Sequence, residues 1–530
     1  IEKVFPERIN EFYGTLAMHY SKAEHYIKAE EYLMKAGEEA VRSAASAEAI
    51  DFYKEALRIY LINSEEQPDA EHISTLHLNI AINYYALGLN IEALDYFDKV
   101  LRSYGLKISR PLVPSILIAL KNIIILVYSL NFPKQRFRKS PSDFDNKILS
   151  IYFHRSKALS TLNPRKAFFE GISIIKFATR FNLKKSEYGL AIFPMISVMF
   201  SWTGISMRLC RKILDFTSEN LNSIPSLVWM EYNVFAKLYQ FLVGHWKEDE
   251  QLEEIQEYSI SKGSIWNLLN YLLFCGFQFM EMGMKDRTID MVNRLERLGD
   301  DFNMNLATAQ YFRLFSVMSF KYRMLDENIS LAEKGISFTS KTGHSNMLSM
   351  IILMKAASLA LKGEIDKAKS TFWEGEKLAM ERKIIKIWYS ATYLTRCYIE
   401  LEELKRNPLD AVLRKSIVKT GEKSIKASKK VINNLIESHR LTGAIHCVLG
   451  NFRKAIQHFQ KSMELAEKTG AKLELSRIFF ETGKCLYKSN NNIQTVKGLN
   501  GKEYLEKARL LFIEMKLDYD LTELERFMNK

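Results

Sequence analysis

The sequence predicts an all-α chain: a TPR-like α-solenoid of antiparallel helix hairpins wound into a right-handed superhelix. Three observations predict it. A fixed order of small, aromatic and turn residues recurs from end to end. Prolines number 10 and glycines 23 in 530 residues, which is sparse punctuation for strands, and no run of alternating strands and hairpin turns is found. The length also exceeds the ~250–300 residues at which one globular core stops growing. A solenoid escapes that limit because each repeat is buried only against its neighbours.

The recurring order is clearest from Gly443 onward. His446 follows by three residues, Gly450 by seven, Ala455 by twelve, Phe459 by sixteen and Ser462 by nineteen. This is the small–large–turn–small–aromatic–small order of a tetratricopeptide (TPR) repeat, a helix–turn–helix of about 34 residues. Gly443 and Ala455 let two helices approach closely, and Gly450 ends the first helix in the left-handed conformation. Phe459 fills the gap to the next hairpin. The same order places Ala81, Tyr84, Gly88, Ala93, Phe97 and Val100, and again Ala356, Leu359, Gly363, Ala368, Phe372 and Gly375. Near the start it gives Ala17, Tyr20, Glu24, Ala29, Leu33 and Ala36, then Gly37, Ala40, Ala44, Ala49, Tyr53 and Ala56. Gly276, Phe279, Gly283, Thr288, Val292 and Leu295 are a worn copy. A last one starts at Gly483 and resumes at Leu505 and Ala508 after a polar insertion.

The segments follow in order. Residues 1–105 are N-terminal repeats, interrupted by the loop Asn63–Glu71. Residues 106–146 hold an apolar helix and a basic, polar linker. Pro114 suits a helix start, and Asn131 and Pro133 suit its end. Lys121 and Asn122 sit in the middle of this stretch, where a charge is costly inside a bilayer. A buried or groove-lining helix is therefore expected, with a peripheral membrane or partner-binding helix as the alternative. Residues 147–405 are divergent repeats, with Trp202, Trp229, Trp246 and Trp266 packed between hairpins. Residues 406–530 begin at the break Arg406–Ser416 and close with an amphipathic capping helix.

The net charge is +13, spread over a chain rich in both signs. Two basic clusters stand out. One contains Lys134, Arg136, Arg138 and Lys139; the other contains Lys426, Lys429 and Lys430. A solvated helix face or loop is the plain reading, and an acidic partner surface or phosphate contact is the alternative. Nucleic acid is not the expected partner. The five cysteines are odd in number and far apart, which fits reduced, buried thiols in a cytoplasmic protein. The opening stretch "IEKVFPERIN" is charged and does not resemble a signal peptide, and the chain is expected to be a piece of something longer.

No phosphate-binding loop, GxGxxG, GxSxG or HExxH is present, and "KTGEKS" (Lys419–Ser424) lacks the first glycine of such a loop. His439 and His446 lie near Cys447 but lack further metal ligands at close spacing. No catalytic group, metal or cofactor is expected in this chain. Tyr20, Tyr84 and His446, on the inner helices, are the candidate partner-binding residues for a protein or peptide.

Four stretches together resemble one family. They are "LAMHYSKAEHYIKAEEYLMKAGEEAVRSAASAEAIDFYKEAL", "GLKISRPLVPSILIALKNIIILV", "NPRKAFFEGISIIKFATRFN" and "GKEYLEKARLLFIEMKLDYDLTELE". In this order they resemble the TPR-like arm of large signalling ATPases of the AAA or STAND type. Those proteins carry a class III adenylyl or guanylyl cyclase domain upstream, as in the soluble adenylyl cyclase-like family; some carry a protein kinase or DNA-binding domain instead. The resemblance implies a regulatory arm that holds or restrains cyclase and ATPase domains of the same polypeptide. The family's cyclase aspartates and ATPase loop have no counterpart here, so no catalytic residue is carried over. A free-standing TPR scaffold remains the other reading.

Overall fold

Hairpins form where the repeat spacing sets small residues against large ones. A computed structural model describes the chain apart from residues 5, 44, 65–67, 107–111, 133–138, 222–223, 303, 343–344, 382–385, 490–492 and 530. The N-terminal helices are α1 (Tyr13–Lys22), α2 (Tyr26–Arg42), α3 (Ser46–Asn63), α4 (Ala70–Ala86) and α5 (Asn90–Ser103). Then come α6 (Leu112–Asn131), α7 (Asp143–Leu162), α8 (Pro164–Ala178), α9 (Glu187–Thr203), α10 (Met207–Ser218), α11 (Leu227–Val243) and α12 (Leu252–Ser261). The middle continues with α13 (Ile265–Glu281), α14 (Lys285–Asp301), α15 (Asn305–Lys321), α16 (Leu325–Thr342), α17 (Ser345–Leu361) and α18 (Ile365–Glu381). The last group is α19 (Ser390–Arg406), α20 (Ala411–Ser428), α21 (Ile432–Val448), α22 (Phe452–Thr469), α23 (Lys472–Lys488), α24 (Gly501–Glu514) and α25 (Asp518–Met528). Among the described residues there is no strand, only two isolated bridges, Lys139 with Phe181 and Val496 with Leu499.

The chain is an all-α solenoid. Most consecutive helices pack as hairpins, α6 and α12 being the exceptions, and from α7 to α23 each odd-numbered helix also packs on the next odd-numbered one. From α7 onward the odd helices form the inner layer. In α13, fifteen of 17 residues are buried, against six of 17 in the outer helix α14, whose apolar residues make a single stripe. The inner layer then meets itself: α11 packs on α21, and α13 on α23, five hairpins further along. The turns seal this closure. Gly244 has φ +81°, and a Cβ there would lie 2.4 Å from Thr469 Cγ2, at the end of α22. One apolar core therefore runs from Ala119 to Leu524, while two smaller ones serve the N-terminal helices.

The spacing logic holds at Gly443. A Cβ added there would sit 2.5 Å from the Phe459 ring. Gly37 meets Tyr53 in the same way, at 2.6 Å. Gly88, Gly283, Gly363 and Gly450 all adopt positive φ at the turn position, and Glu24 holds that conformation, at φ 58°, where the first repeat lacks a glycine. All five cysteines are free and buried.

The apolar segment differs from expectation. Rather than being buried or lining a groove, α6 packs on the outer side, against α8 and α10. Ala119, Asn122, Leu126 and Ser129 are buried, while Leu117, Leu120, Ile124 and Phe132 are exposed. The reason is position: α6 leaves the inner layer, so only one of its faces finds protein. Among the described residues, no helix is long and apolar enough to cross a membrane.

Gly443→Ala should destabilise the protein by about 1–3 kcal/mol, because the added methyl overpacks against Phe459. Gly443→Ala combined with Phe459→Leu should recover part of that loss. Thermal unfolding of the three proteins checks it.

Candidate functional site

The inner layer is not purely apolar. Charged residues occupy inward positions near the ends of several odd helices, and the closure brings them together. Lys321, the last residue of α15, places its Nζ 2.9 Å from Glu437 Oε2, 3.2 Å from Glu474 Oε1 and 3.5 Å from Glu281 Oε1. These carboxylates come from α21, α23 and α13. Arg440 donates from Nε to Glu474 Oε2 at 2.7 Å and from Nη2 to the Tyr398 hydroxyl at 2.8 Å. Tyr398 in turn donates to Glu437. Arg477 donates to Asp520 of α25 at 2.8 Å, and Asn433 Nδ2 donates to Glu281 Oε1 at 3.2 Å. Five inner helices and the final helix thus meet at one buried ionic hub.

Its electrostatics follow from burial and partners. Burial alone would favour a neutral Lys321, but Glu281, Glu437 and Glu474 outweigh it and raise its pKa, so the group stays an ammonium. Burial opposes ionisation of Glu474 too. Arg440, Lys321 and Arg477 overcome that penalty and hold the carboxyl well below its ordinary value. Burial is the leading effect on Glu281 and raises its pKa. A permanently charged, fully engaged Lys321 is no nucleophile; the hub is a clamp. Beside it lies a cavity of about 60 Å³, walled by Phe277, Phe320, Met354 and Trp388 as well as Lys321 and Glu437. It is large enough for a few ordered waters.

Two smaller ionic clusters sit in the same layer. Lys157 of α7 pairs with Glu231 of α11 and donates to Asn267 Oδ1 of α13 at 3.1 Å. Its ammonium lies 4.7 Å from the Phe153 ring centre and 4.9 Å from that of Trp266. Lys237 pairs with Asp249 at 2.7 Å, and Tyr271 donates to the same carboxylate.

The candidate partner residues do not all come together: Tyr20 and Tyr84 pack on one N-terminal core, and His446 lies apart on α21. Tyr20 is half-buried, stacks on Tyr32 with centroids 5.6 Å apart and donates to Glu2 Oε1 at 2.9 Å. Tyr84 is half-buried beside Tyr96, at 5.7 Å, with Lys54 Nζ 5.1 Å above its ring. His446 is only 6% exposed, stacked on His458 at 5.6 Å, and presents no surface to a partner. His458 also contacts His439, Nδ1 to Nδ1, at 3.1 Å. Among the described residues, no group of three or more His, Cys, Asp or Glu side chains is placed to hold a metal. Lys426, Lys429 and Lys430 are exposed at the end of α20, where cations suit the helix dipole. Lys139 is exposed beside Phe181, at 5.9 Å, while Lys134, Arg136 and Arg138 lie outside the described residues.

Sequence reasoning missed the hub. Its signal was an acid or base embedded in an apolar inner helix just before the turn, as in "GFQFMEMG" for Glu281 and "SVMSFKYR" for Lys321.

No protein-family model matches the chain. No curated protein matches it either. Among solved structures it is similar to the APC/C hetero-tetramer Cut9–Hcn1, with 13% identity over 96% of this chain and 88% of that one, at a TM-score of 0.45. It is also similar to a Signal Transduction ATPase with Numerous Domains (STAND) protein with a tetratricopeptide repeat sensor from Pyrococcus horikoshii. There the identity is 12%, covering 90% of this chain and 61% of that one, at a TM-score of 0.31. Yeast Tom70 gives 12% identity over 99% and 100% of the two chains, at a TM-score of 0.25. The solenoid assignment rests on the hairpin packing itself.

The two hub glutamates should respond oppositely to neutralisation. Glu474 has a folded pKa below its unfolded value, so its stabilisation is present above the ordinary carboxylate range and is lost as pH falls through the folded value. Glu281 has a raised folded pKa, so its contribution is full below that range and is lost as pH rises through the raised value. At pH 7, Glu474→Gln should cost about 3–5 kcal/mol by stranding buried cations. Glu281→Gln should be close to neutral or stabilising. Denaturant unfolding of both variants at pH 7 checks the contrast.

Proposed function

We propose that this chain is a non-catalytic protein-interaction arm, with its partner face on the N-terminal repeats. The observation that supports this most is where polar aromatic surface is left half-exposed. From α9 to α25 the inner helices close on one another. In α1–α5, Tyr20, Tyr84, Tyr96 and His77 stay half-buried, with Lys28, Lys54 and Lys99 placed over tyrosine rings. Amphipathic rings beside fixed cations suit an extended, acidic peptide segment. The sealed part then acts as the rigid base that carries this face.

The finer reading concerns the parent protein. Resemblance to the arms of cyclase-coupled AAA or STAND-type ATPases supports a regulatory role toward cyclase and ATPase domains of the same polypeptide in signal transduction. A free-standing scaffold, or the arm of an ATPase-linked kinase or transcription regulator, fits the same surface. Sequencing the coding region upstream of Ile1 separates these readings.

A photo-crosslinking residue at Tyr84 should capture a partner from the native host, and one at the outer-helix position Lys461 should not. Lys54→Glu should weaken capture about tenfold, the loss of one central contact. Equal capture at both positions, or none at Tyr84, overturns this assignment.

A further inference from the structure

The exposed face of α6 has no place in the partner face just described. Leu117, Leu120, Ile124 and Val127 recur at three- to four-residue spacing, and so line one side of the helix, with Phe132 exposed just past its end. Leu117 is 65% exposed and Ile124 is 70% exposed. Such values describe a ridge. A peptide site is concave, and protruding aliphatic side chains do not make one. A ridge can instead sink into a deformable layer.

Charge points to which layer. Between Asp98 and Asp143 lie 44 residues with no Asp or Glu and nine Lys or Arg. Lys121 is exposed on the ridge itself, where its long stem can bend toward water while the aliphatic residues insert. At the end of the ridge, Lys212 of α10 donates to Asn131 Oδ1 at 3.2 Å, and Arg208, one turn away, is exposed. Lys139 is exposed where the chain resumes. Tyr128 and Phe132, with rings 5.0 Å apart, sit at this basic end, in the arrangement favoured where an apolar layer meets water. A second copy of the chain would bring two such cationic fields together, so self-association is disfavoured.

We infer that the outer face of α6 docks on an anionic lipid surface, with the aliphatic ridge lying in the interface and Lys121, Lys139, Arg208 and Lys212 toward the headgroups. The helix lies on the membrane and does not cross it. Apolar insertion and headgroup attraction act together, as for peripheral amphipathic helices.

The test is flotation of the full chain with vesicles of phosphatidylcholine alone and vesicles containing 30% phosphatidylserine, at low and high salt. The Leu117→Ser/Ile124→Ser variant is run alongside. Both substituted positions are exposed, and circular dichroism and thermal unfolding confirm that the variant folds. The expected result is binding to the anionic vesicles, weakened at least tenfold by the double substitution and weakened by salt. The inference is overturned if the folded wild type fails to float, if neutral vesicles bind equally well, or if binding survives the double substitution. It is overturned too if sedimentation shows a dimer abolished by the substitution, or if an acidic amphipathic peptide binds the ridge while the vesicles do not.

Discussion

Lys321 can leave water only because Glu437 and Glu474 leave with it, with Glu281 as a third acidic neighbour. Desolvating a single ammonium is costly, and a pair of opposite charges often only breaks even. Here the carboxylates come from α13, α21 and α23, so satisfying this one cation requires the two halves of the array to meet in a single register. Apolar contact between α11 and α21 is non-directional and could form in neighbouring registers. The hydrogen bonds that cross the closure, from Lys321 to Glu437 and Glu474 and from Asn433 to Glu281, could not. The hub therefore selects one closure of the superhelix, and the apolar residues stabilise the closure it selects.

That closure divides the molecule. Where inner helices pack on one another, many of their polar groups pair in clusters such as Lys157–Glu231–Asn267 and Lys237–Asp249–Tyr271. Where they do not, in α1–α5, tyrosines are left half-covered. The difference between a supporting region and a gripping one thus arises from how many inner helices find each other across the axis, with the same hairpin used throughout.

The hairpins were legible in the sequence because their determinants are local. Gly443 and Phe459 lie on adjacent helices, and the turn glycines act on their own backbone. Even the irregular turn at Glu24 falls where the spacing puts it. The hub was not legible. Lys321 and Glu474 are 153 residues apart, and nothing in either neighbourhood states that they meet. The same holds for His446: its place in the repeat marks an inner helix, but only the packing around α21 shows that the helix is covered. For α6, hydropathy foretold a helix and missed its exposed side, because that depends on which neighbours the chain returns to.

A ribosome delivers this chain from one end, and hairpins can form as they emerge. Lys321 cannot be matched then. Its partners Glu437 and Glu474 are synthesised more than a hundred residues later, and Asp520, which completes Arg477, later still. During most of translation the first turn of the spiral must stay ajar, with a hydrated ammonium among apolar helices that have nothing yet to cover them. The apolar inner surface around Lys321 is therefore completed only when the last helices have been made.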